Sequence, residues 1–348
     1  MTSFFELRLL VRVKRDLSIF HNLWKNFAVW AILKGIKLPD WRYFEGTPTR
    51  RIKGKFDELQ SIRKFRESIP DWMDETGEAE LGKRWDEEIK ELNKQARVIL
   101  RTNTLKTSRK ELQKFLQDEE VFTEFVPQAP DALVLVERKN VFLTQAFKNG
   151  LFEVQDASSQ LVAPFLDVKP GQKVIDTCAG AGGKTLHLAS LMENKGQIIA
   201  MDIYAHKLAE LKKRAKRDGA HNIETRPIEG SKSIKKFKGK ADRVLIDAPC
   251  SGIGVLKRNP DSKWKLNGEF LDRIRKTQAE IMDQYASMVK DGGKMVYATC
   301  SVLPAENEKQ VEALLAKHQD FKLLKDKKVS PAATGFDGFY MALMEKKS

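Results

Sequence analysis

An open, mostly parallel α/β sheet, wound on both faces and filling the second half of the chain, is what three stretches of sequence predict. In the first, Lys173-Val-Ile-Asp176 reads as a short buried strand. It runs into a glycine-rich loop, Cys178-Ala179-Gly180-Ala181-Gly182-Gly183-Lys184-Thr185, that opens a helix. In the second, strand Gln197 to Met201 ends at Asp202 and a helix follows from Ala205 to Arg217. In the third, the apolar run Val244 to Ile246 ends at Asp247-Ala-Pro-Cys250-Ser-Gly252. Strand, helix, strand is the repeat of a doubly wound sheet, whose ligands bind at the carboxyl ends of the strands. Asp247 and Cys250 therefore mark a candidate site. A second thiol, Cys300 in Val296-Tyr-Ala-Thr-Cys-Ser301, ends a similar strand-like run.

Ahead of this domain the chain divides twice. Residues 1–68 form a basic helical region, because Phe5, Leu9 and Val13, then Phe20, Leu23, Trp24, Phe27 and Trp30, recur at helical spacing. Residues 1–70 hold fifteen Lys and Arg against seven Asp and Glu, densest at Arg50-Arg51-Ile-Lys53-Gly-Lys55. That cluster suits a phosphate-facing patch, and equally a solvated helix face and loop. Residues 69–148 open with a helix start at Ile69-Pro70-Asp71-Trp72 and an acidic helical connector. A small α+β unit follows, with extended Arg97 to Asn103, a capped helix from Ser108 to Gln117 and a strand-like run from Leu133 to Val141. Arg101 and Asn103 could face a nucleic-acid backbone or alternate on a half-buried strand. Residues 149–348 carry the doubly wound pattern, with Asp156 or Ser158 capping the helix after Gln155.

Composition limits the function. The 348 residues carry a net charge of +14, which points to a polyanionic partner, with nucleic acid favoured over a membrane surface. Three Cys with no CxxC pair form neither a disulfide framework nor a zinc site, and indicate a reducing compartment. Charges interrupt every apolar stretch near the amino terminus, so neither a secretory leader nor a membrane span is expected, and the cytoplasm is the expected location. The glycine-rich loop fails both familiar nucleotide patterns by one residue. A P-loop needs Gly where Cys178 stands, and a dinucleotide fingerprint starting at Gly180 needs Gly where Thr185 stands. What remains is a loop whose backbone can approach a ligand closely, with Asp202 placed to accept both hydroxyls of a ribose. That combination suits the adenosyl part of S-adenosylmethionine.

Three motifs then carry a resemblance. Asp176-Thr-Cys-Ala-Gly-Ala-Gly-Gly-Lys-Thr185, Asp247-Ala-Pro-Cys-Ser-Gly252 and Ala298-Thr-Cys-Ser-Val-Leu-Pro304 resemble, in this order, the RNA cytosine-5 methyltransferases of the NOP2/Sun/RsmB type. The likeness extends from about Ile69 to Tyr340. It takes in Gln155-Asp156-Ala-Ser-Ser, Arg258-Asn-Pro-Asp261 with Trp264, and Asp337-Gly-Phe-Tyr340. Within that family the chain is most similar to bacterial 16S rRNA enzymes. The family's loop usually has Ala-Pro where this chain has Gly180-Ala181, and Glu229 stands where an Asp near adenine is common. The weaker match of residues 1–68 looks like a shortened helical domain similar to the antitermination factor NusB.

The resemblance implies a class I, Rossmann-like, S-adenosylmethionine-dependent methyltransferase. It would act on RNA, with rRNA as the expected substrate and tRNA as the alternative, as a monomer and without a metal. It implies Cys300 as the nucleophile adding to carbon 6 of cytosine, Cys250 as the thiol needed for release, and Asp247 as the contact to ring nitrogen 3. For the cofactor it implies the loop Cys178, Ala179, Gly180, Ala181, Gly182, Gly183 and Lys184, with Asp202, Glu229 and Asp247. Cys178 is otherwise assigned to packing. Lys184 either faces the site or caps loop carbonyls. A non-catalytic RNA-binding or assembly factor that has kept the fold is the rival outside enzymology.

Overall fold

The computed structural model describes residues 19–348, so the helical periodicity expected before Ile19 lies outside the described residues. Helices α1 (Ile19–Leu33) and α2 (Thr49–Leu59) pack through Val29, Ile32 and Ile52. The cluster Arg50, Arg51, Lys53 and Lys55 is exposed around buried Ile52, on a helix where part of it was expected in a loop.

The acidic connector forms α3 (Asp71–Leu81) and α4 (Arg84–Leu92). They approach so closely that a Cβ on Gly77 would lie 2.2 Å from the Trp85 ring, so only glycine fits there. Its acids bind the rest of the chain. Glu80 accepts from the Ala305 N–H at 2.8 Å and Glu88 from the Ala332 N–H at 3.0 Å, and Glu91 pairs with Lys257 at 3.2 Å.

The small α+β unit is an antiparallel sheet built from β1 (Ile99–Thr102), β2 (Thr123–Phe125), β3 (Ala132–Leu135) and β4 (Phe152–Val154), in the order β2-β3-β1-β4. Helix α5 (Arg109–Asp118) starts at Ser108 with a capping box, Ser108 Oγ accepting from the Glu111 N–H while Glu111 accepts from the Ser108 N–H. Residues 152–154, which the sequence reading groups with the catalytic domain, complete this sheet by pairing with β1. The boundary at residue 148 therefore falls one strand too early, because a three-residue strand carries no mark of its partner. Arg101 and Asn103 are also corrected. Both are buried, Arg101 at 1% exposure, and face the doubly wound domain, Arg101 donating to the Gly183 carbonyl and Asn103 to the Asp218 carbonyl.

The larger sheet holds β5 (Lys173–Asp176), β6 (Gln197–Asp202), β7 (Ile223–Pro227), β8 (Ala241–Asp247), β9 (Val289–Thr299), β10 (Phe321–Val329) and β11 (Phe339–Lys346). Their order is β10-β11-β9-β8-β5-β6-β7, with β11 antiparallel to both neighbours. Helices α6 (Gly183–Leu191), α7 (Ala205–Asp218), α8 (Gly268–Ala286) and α9 (Glu308–Lys317) complete this domain. Two buried clusters form the core, one around Val174, Leu188, Ile198 and Leu245, the other around Ile175, Val244, Met282 and Tyr297. From β5 the chain goes to β6 on one side and returns to β8 on the other. The switch point thus lies between the ends of β5 and β8.

Arg258 ties three distant motifs together. Its Nε donates to Asp337 at 2.5 Å and its Nη2 to Asp156 at 2.7 Å, and Ser158 Oγ donates to the Asp337 carbonyl at 2.7 Å. Lys257 beside it is 2% exposed in its side chain and held by Glu91 and the Gly335 carbonyl. These two cations tie distant parts of the fold together. Arg258→Ala leaves two nearly buried carboxylates facing each other, and should lower the unfolding free energy by about 3 kcal/mol in a urea titration. A loss below about 1 kcal/mol would show that the junction is not what secures these loops.

Candidate functional site

The switch point holds a cavity of about 300 Å³, whose lining includes Asp176, Cys178, Gly180, Gly183, Lys184 and Asp247. The strand ends make it. Asp176 closes β5 and Asp247 closes β8, and the loop between Asp176 and α6 is pinned on both sides. The Thr177 N–H and hydroxyl donate to the Leu245 carbonyl, each at 2.9 Å, and the Ala179 N–H donates to Met201 at 2.9 Å. Gly180 and Gly182 have φ of +54° and +91°, and a Cβ on Gly182 would lie 2.6 Å from Leu211 of α7. The loop needs glycine there for both its turn and its approach to the helix. Ala181, in place of the family's proline, presents its carbonyl to Arg214 at 2.7 Å.

Asp202 closes β6 as expected, with Oδ2 accepting from the Gly180 N–H at 2.8 Å and Oδ1 from the Tyr204 N–H at 2.8 Å. It supports the glycine loop directly and lies outside the residues lining the cavity. Glu229 is exposed beyond β7 and is likewise not part of that lining. Cys178 does line the cavity and also packs on the core, and burial pushes its thiol up.

Lys184 lines the cavity. Its ammonium donates to Asp247 Oδ2 at 2.7 Å and stands 5.1 Å from the centre of the Phe339 ring. Burial works against the charge, but Asp247, with Cys300 and Asp176 nearby, holds the Lys184 ammonium above its ordinary value.

The two thiols meet. Cys250 Sγ lies 3.1 Å from Cys300 Sγ, although fifty residues separate them. The loops after β8 and β9 are zipped by the Gly254 N–H donating to the Cys300 carbonyl at 3.0 Å and the Gly338 N–H donating to Gly254 at 2.8 Å. A Cβ on Gly254 would sit 2.3 Å from the Gly338 carbonyl, so any other residue would part them. The hydrogen bond to Cys300, then burial, push the Cys250 thiol well above its ordinary value, and the charge of Glu306 adds to this.

Two groups escaped the sequence reading, and so did the contacts of a third, Arg101. Asp176 lines the cavity with Oδ2 held by Thr185 at 2.7 Å, while its buried Oδ1 has no partner. Burial pushes its carboxyl up to about 7; the Thr185 bond opposes the rise and the Asp247 charge adds to it. Such a carboxylate fits a ligand that brings an ammonium group, as the methionine part of S-adenosylmethionine does. Its position directly before the glycine loop was the available signal. Arg214 lines the cavity from α7 and pairs with Glu153 of β4 at 2.6 Å. Arg101 donates to Gln155 at 2.5 Å and to the Gly183 carbonyl, with burial lowering its guanidinium to about 10. Only the packing of the small sheet on α6 and α7 reveals these last two. Among the described residues no cluster of side chains is arranged to hold a metal ion, and no helix is long and apolar enough to cross a membrane.

A family model described as 16S rRNA methyltransferase RsmB/F matches residues 163–345, and one described as the RsmF/B-like ferredoxin-like domain matches residues 69–142. The probable ribosomal RNA small subunit methyltransferase B of Bacillus subtilis is 36% identical over 266 residues, which is 71% of this chain and 59% of that protein. This chain thus spans about three fifths of that relative's length. The crystal structure of PH0851 superposes with a TM-score of 0.83 at 27% identity, covering 98% of this chain and 87% of the other. A methyltransferase homolog from Pyrococcus horikoshii gives a TM-score of 0.73 at 27% identity, covering 82% and 97%. With family models accounting for both the small sheet and the sheet that carries the paired thiols, the chain belongs to the RsmB/F family of 16S rRNA methyltransferases.

Proposed function

We propose that the chain methylates carbon 5 of an unpaired cytosine in RNA, with small-subunit rRNA as the substrate, as a cytoplasmic monomer. The observation that carries this reading is the 3.1 Å approach of Cys250 and Cys300 beside the Lys184–Asp247 pair. S-adenosylmethionine, the methyl donor of the family, supplies an electrophilic methyl group on its sulfonium. The glycine loop 178–184 and Asp176 would hold it, with Asp202 setting the loop and facing the ribose. Glu229, out on the surface, is the weakest member of that set.

Carbon 5 of cytosine is a poor nucleophile. Addition of the Cys300 thiolate at carbon 6 turns the ring into an enamine that can take the methyl group at carbon 5. A hydrogen bond or proton at ring nitrogen 3 favours the addition, and the Lys184–Asp247 pair is the proton-bearing pair at this end of the cavity. The carbon 5 proton must then leave and the carbon–sulfur bond must break. Cys250, whose environment keeps its thiol protonated, can hand that proton to the departing Cys300 sulfur while taking the one from carbon 5. Because carbons 5 and 6 are covered in a stacked helix, the target must be unpaired or flipped. The exposed basic face of α2 and the small sheet would grip the backbone around it.

In a Cys250→Ala variant expressed in its native host, a denaturant-stable protein–RNA adduct should accumulate, and sequencing at the attachment point would name the cytosine. The adduct should vanish in the Cys250→Ala/Cys300→Ala double variant. If the single variant turns over normally without an adduct, the thiol roles are wrong. Asp202→Ala should weaken S-adenosylmethionine binding by about 10- to 100-fold in a calorimetric titration, since it removes charge-assisted hydrogen bonds from the loop; unchanged affinity would remove Asp202 from the cofactor site. The pH dependence follows from Asp176. Its folded value of about 7 lies above the ordinary 3.8, so without ligand the fold loses stability as pH rises from about 4 to 7. An ammonium on Oδ1 needs the carboxylate, so cofactor affinity should rise with pH up to about 7 and level off above it. Below that it should fall about tenfold per pH unit. Asp176→Asn should flatten this profile, and a wild-type profile without a slope would remove Asp176 from the contact.

A further inference from the structure

Glu306 ends the short turn Pro304–Glu306, has no exposed surface and takes no part in the chemistry above. Its carboxylate receives four hydrogen bonds. Oε2 accepts from the Ser251 N–H at 2.8 Å and from Gln278 Nε2 at 3.0 Å. Oε1 accepts from the hydroxyls of Ser251 at 2.5 Å and Ser301 at 2.6 Å. These serines directly follow the two thiols, Cys250 and Cys300. Each hydroxyl also accepts from the N–H two residues further on, Ile253 at 3.3 Å and Leu303 at 3.2 Å, which leaves its one proton for Glu306. The two loops thus make the same turn and end on the same carboxylate oxygen. Gln278 closes the arrangement from α8, since its Nε2 also donates to the Pro249 carbonyl on the other side of Cys250, at 3.0 Å.

We propose that Glu306 is a positioning residue that sets the spacing of Cys250 and Cys300 by tying Ser251 and Ser301 to one carboxylate. The assignment builds on the reading of these thiols as release group and nucleophile. Burying a charge between two loops is costly compared with apolar packing, and here every partner is a donor, which only an ionised carboxylate satisfies at all four places. The same charge faces Cys250 and helps to keep its proton in place, so one group both locates the pair and makes its two members unequal. An amide at this position can keep its oxygen on the Ser251 N–H and Gln278 only by turning its NH2 onto the two serine hydroxyls, whose protons then lose their shared acceptor, so the tie between the two loops weakens.

The test uses the full chain carrying Glu306→Gln, with phenylarsine oxide as a ruler for thiol spacing, because its arsenic bridges two nearby thiols with release of one water. Affinity for phenylarsine oxide should fall by about tenfold or more, since a bridging ligand loses its second attachment when the partner moves away. S-adenosylmethionine affinity should stay within about twofold and kcat should drop on the order of 100-fold with little change in KM for RNA, the cost of a small misplacement of reacting groups. Ser251→Ala and Ser301→Ala, each removing one hydroxyl from Oε1, should shift the same readings in the same direction and decide the matter if Glu306→Gln does not fold. Wild-type arsenical affinity and turnover in Glu306→Gln, or in both serine variants, would overturn the proposal. The arsenical reads spacing with no RNA present, so a wild-type chain that binds it tightly yet methylates nothing would refute the methylation reading and leave the role of Glu306 standing.

Discussion

Backbone touching backbone at Gly254 is the constraint on which the site depends. Strands β8 and β9 are neighbours in the sheet, but adjacency alone does not bring two loop cysteines into contact. What does so is the pair of hydrogen bonds from Gly254 to Cys300 and from Gly338 to Gly254, at a place where no Cβ can stand. The third partner comes from the segment before β11. The loops that carry the thiols are therefore joined by three chain segments and two backbone hydrogen bonds, alongside the four bonds that Glu306 receives.

A second level of organisation is electrostatic and mostly hidden from solvent. The acidic connector is docked, through Glu80, Glu88 and Glu91, onto Ala305, Ala332 and Lys257 of the doubly wound domain. Across the molecule, Glu153 of the small sheet collects Arg214 and Arg217 of α7, and Arg214 in turn holds the Ala181 carbonyl of the glycine loop. The small sheet thus braces the glycine loop through Arg214. Of the chain's 62 Lys and Arg, several are paired internally in this way, while the cations around Ile52 on α2 remain at the surface.

Sequence carries this fold unevenly, for physical reasons. The doubly wound domain is legible because buried parallel strands are apolar runs that end in Asp and Gly, and because the Ser108 capping box marks a helix start by itself. Cys250 and Cys300 are legible as a pair only through the order of their motifs, since nothing local in either stretch tells where the other lies. Arg101 is the instructive miss. A guanidinium on a strand suggests solvent or phosphate, and only the tertiary structure supplies the Gly183 carbonyl and Gln155 that let it be buried. The same holds for Lys257 and Arg258, whose exposed-looking sequence conceals partners at Glu91, Asp156 and Asp337. Local pattern reports which groups are present, and long-range packing decides which of them are already occupied.

The place of β11 in the sheet also sets the order in which the molecule can be finished. Residues 339–346 lie between β9 and β10, and the stretch just before them brings Gly338 to Gly254 and Asp337 to Arg258. Synthesis runs from the amino terminus, and a nascent chain can pair only what has left the ribosome. Until residue 346 emerges, β9 is an open edge, Arg258 has one of its two carboxylates, and the loop of Cys250 lacks its third anchor. The loop of Cys250 thus gains its last backbone anchor from a segment that is made after both cysteines.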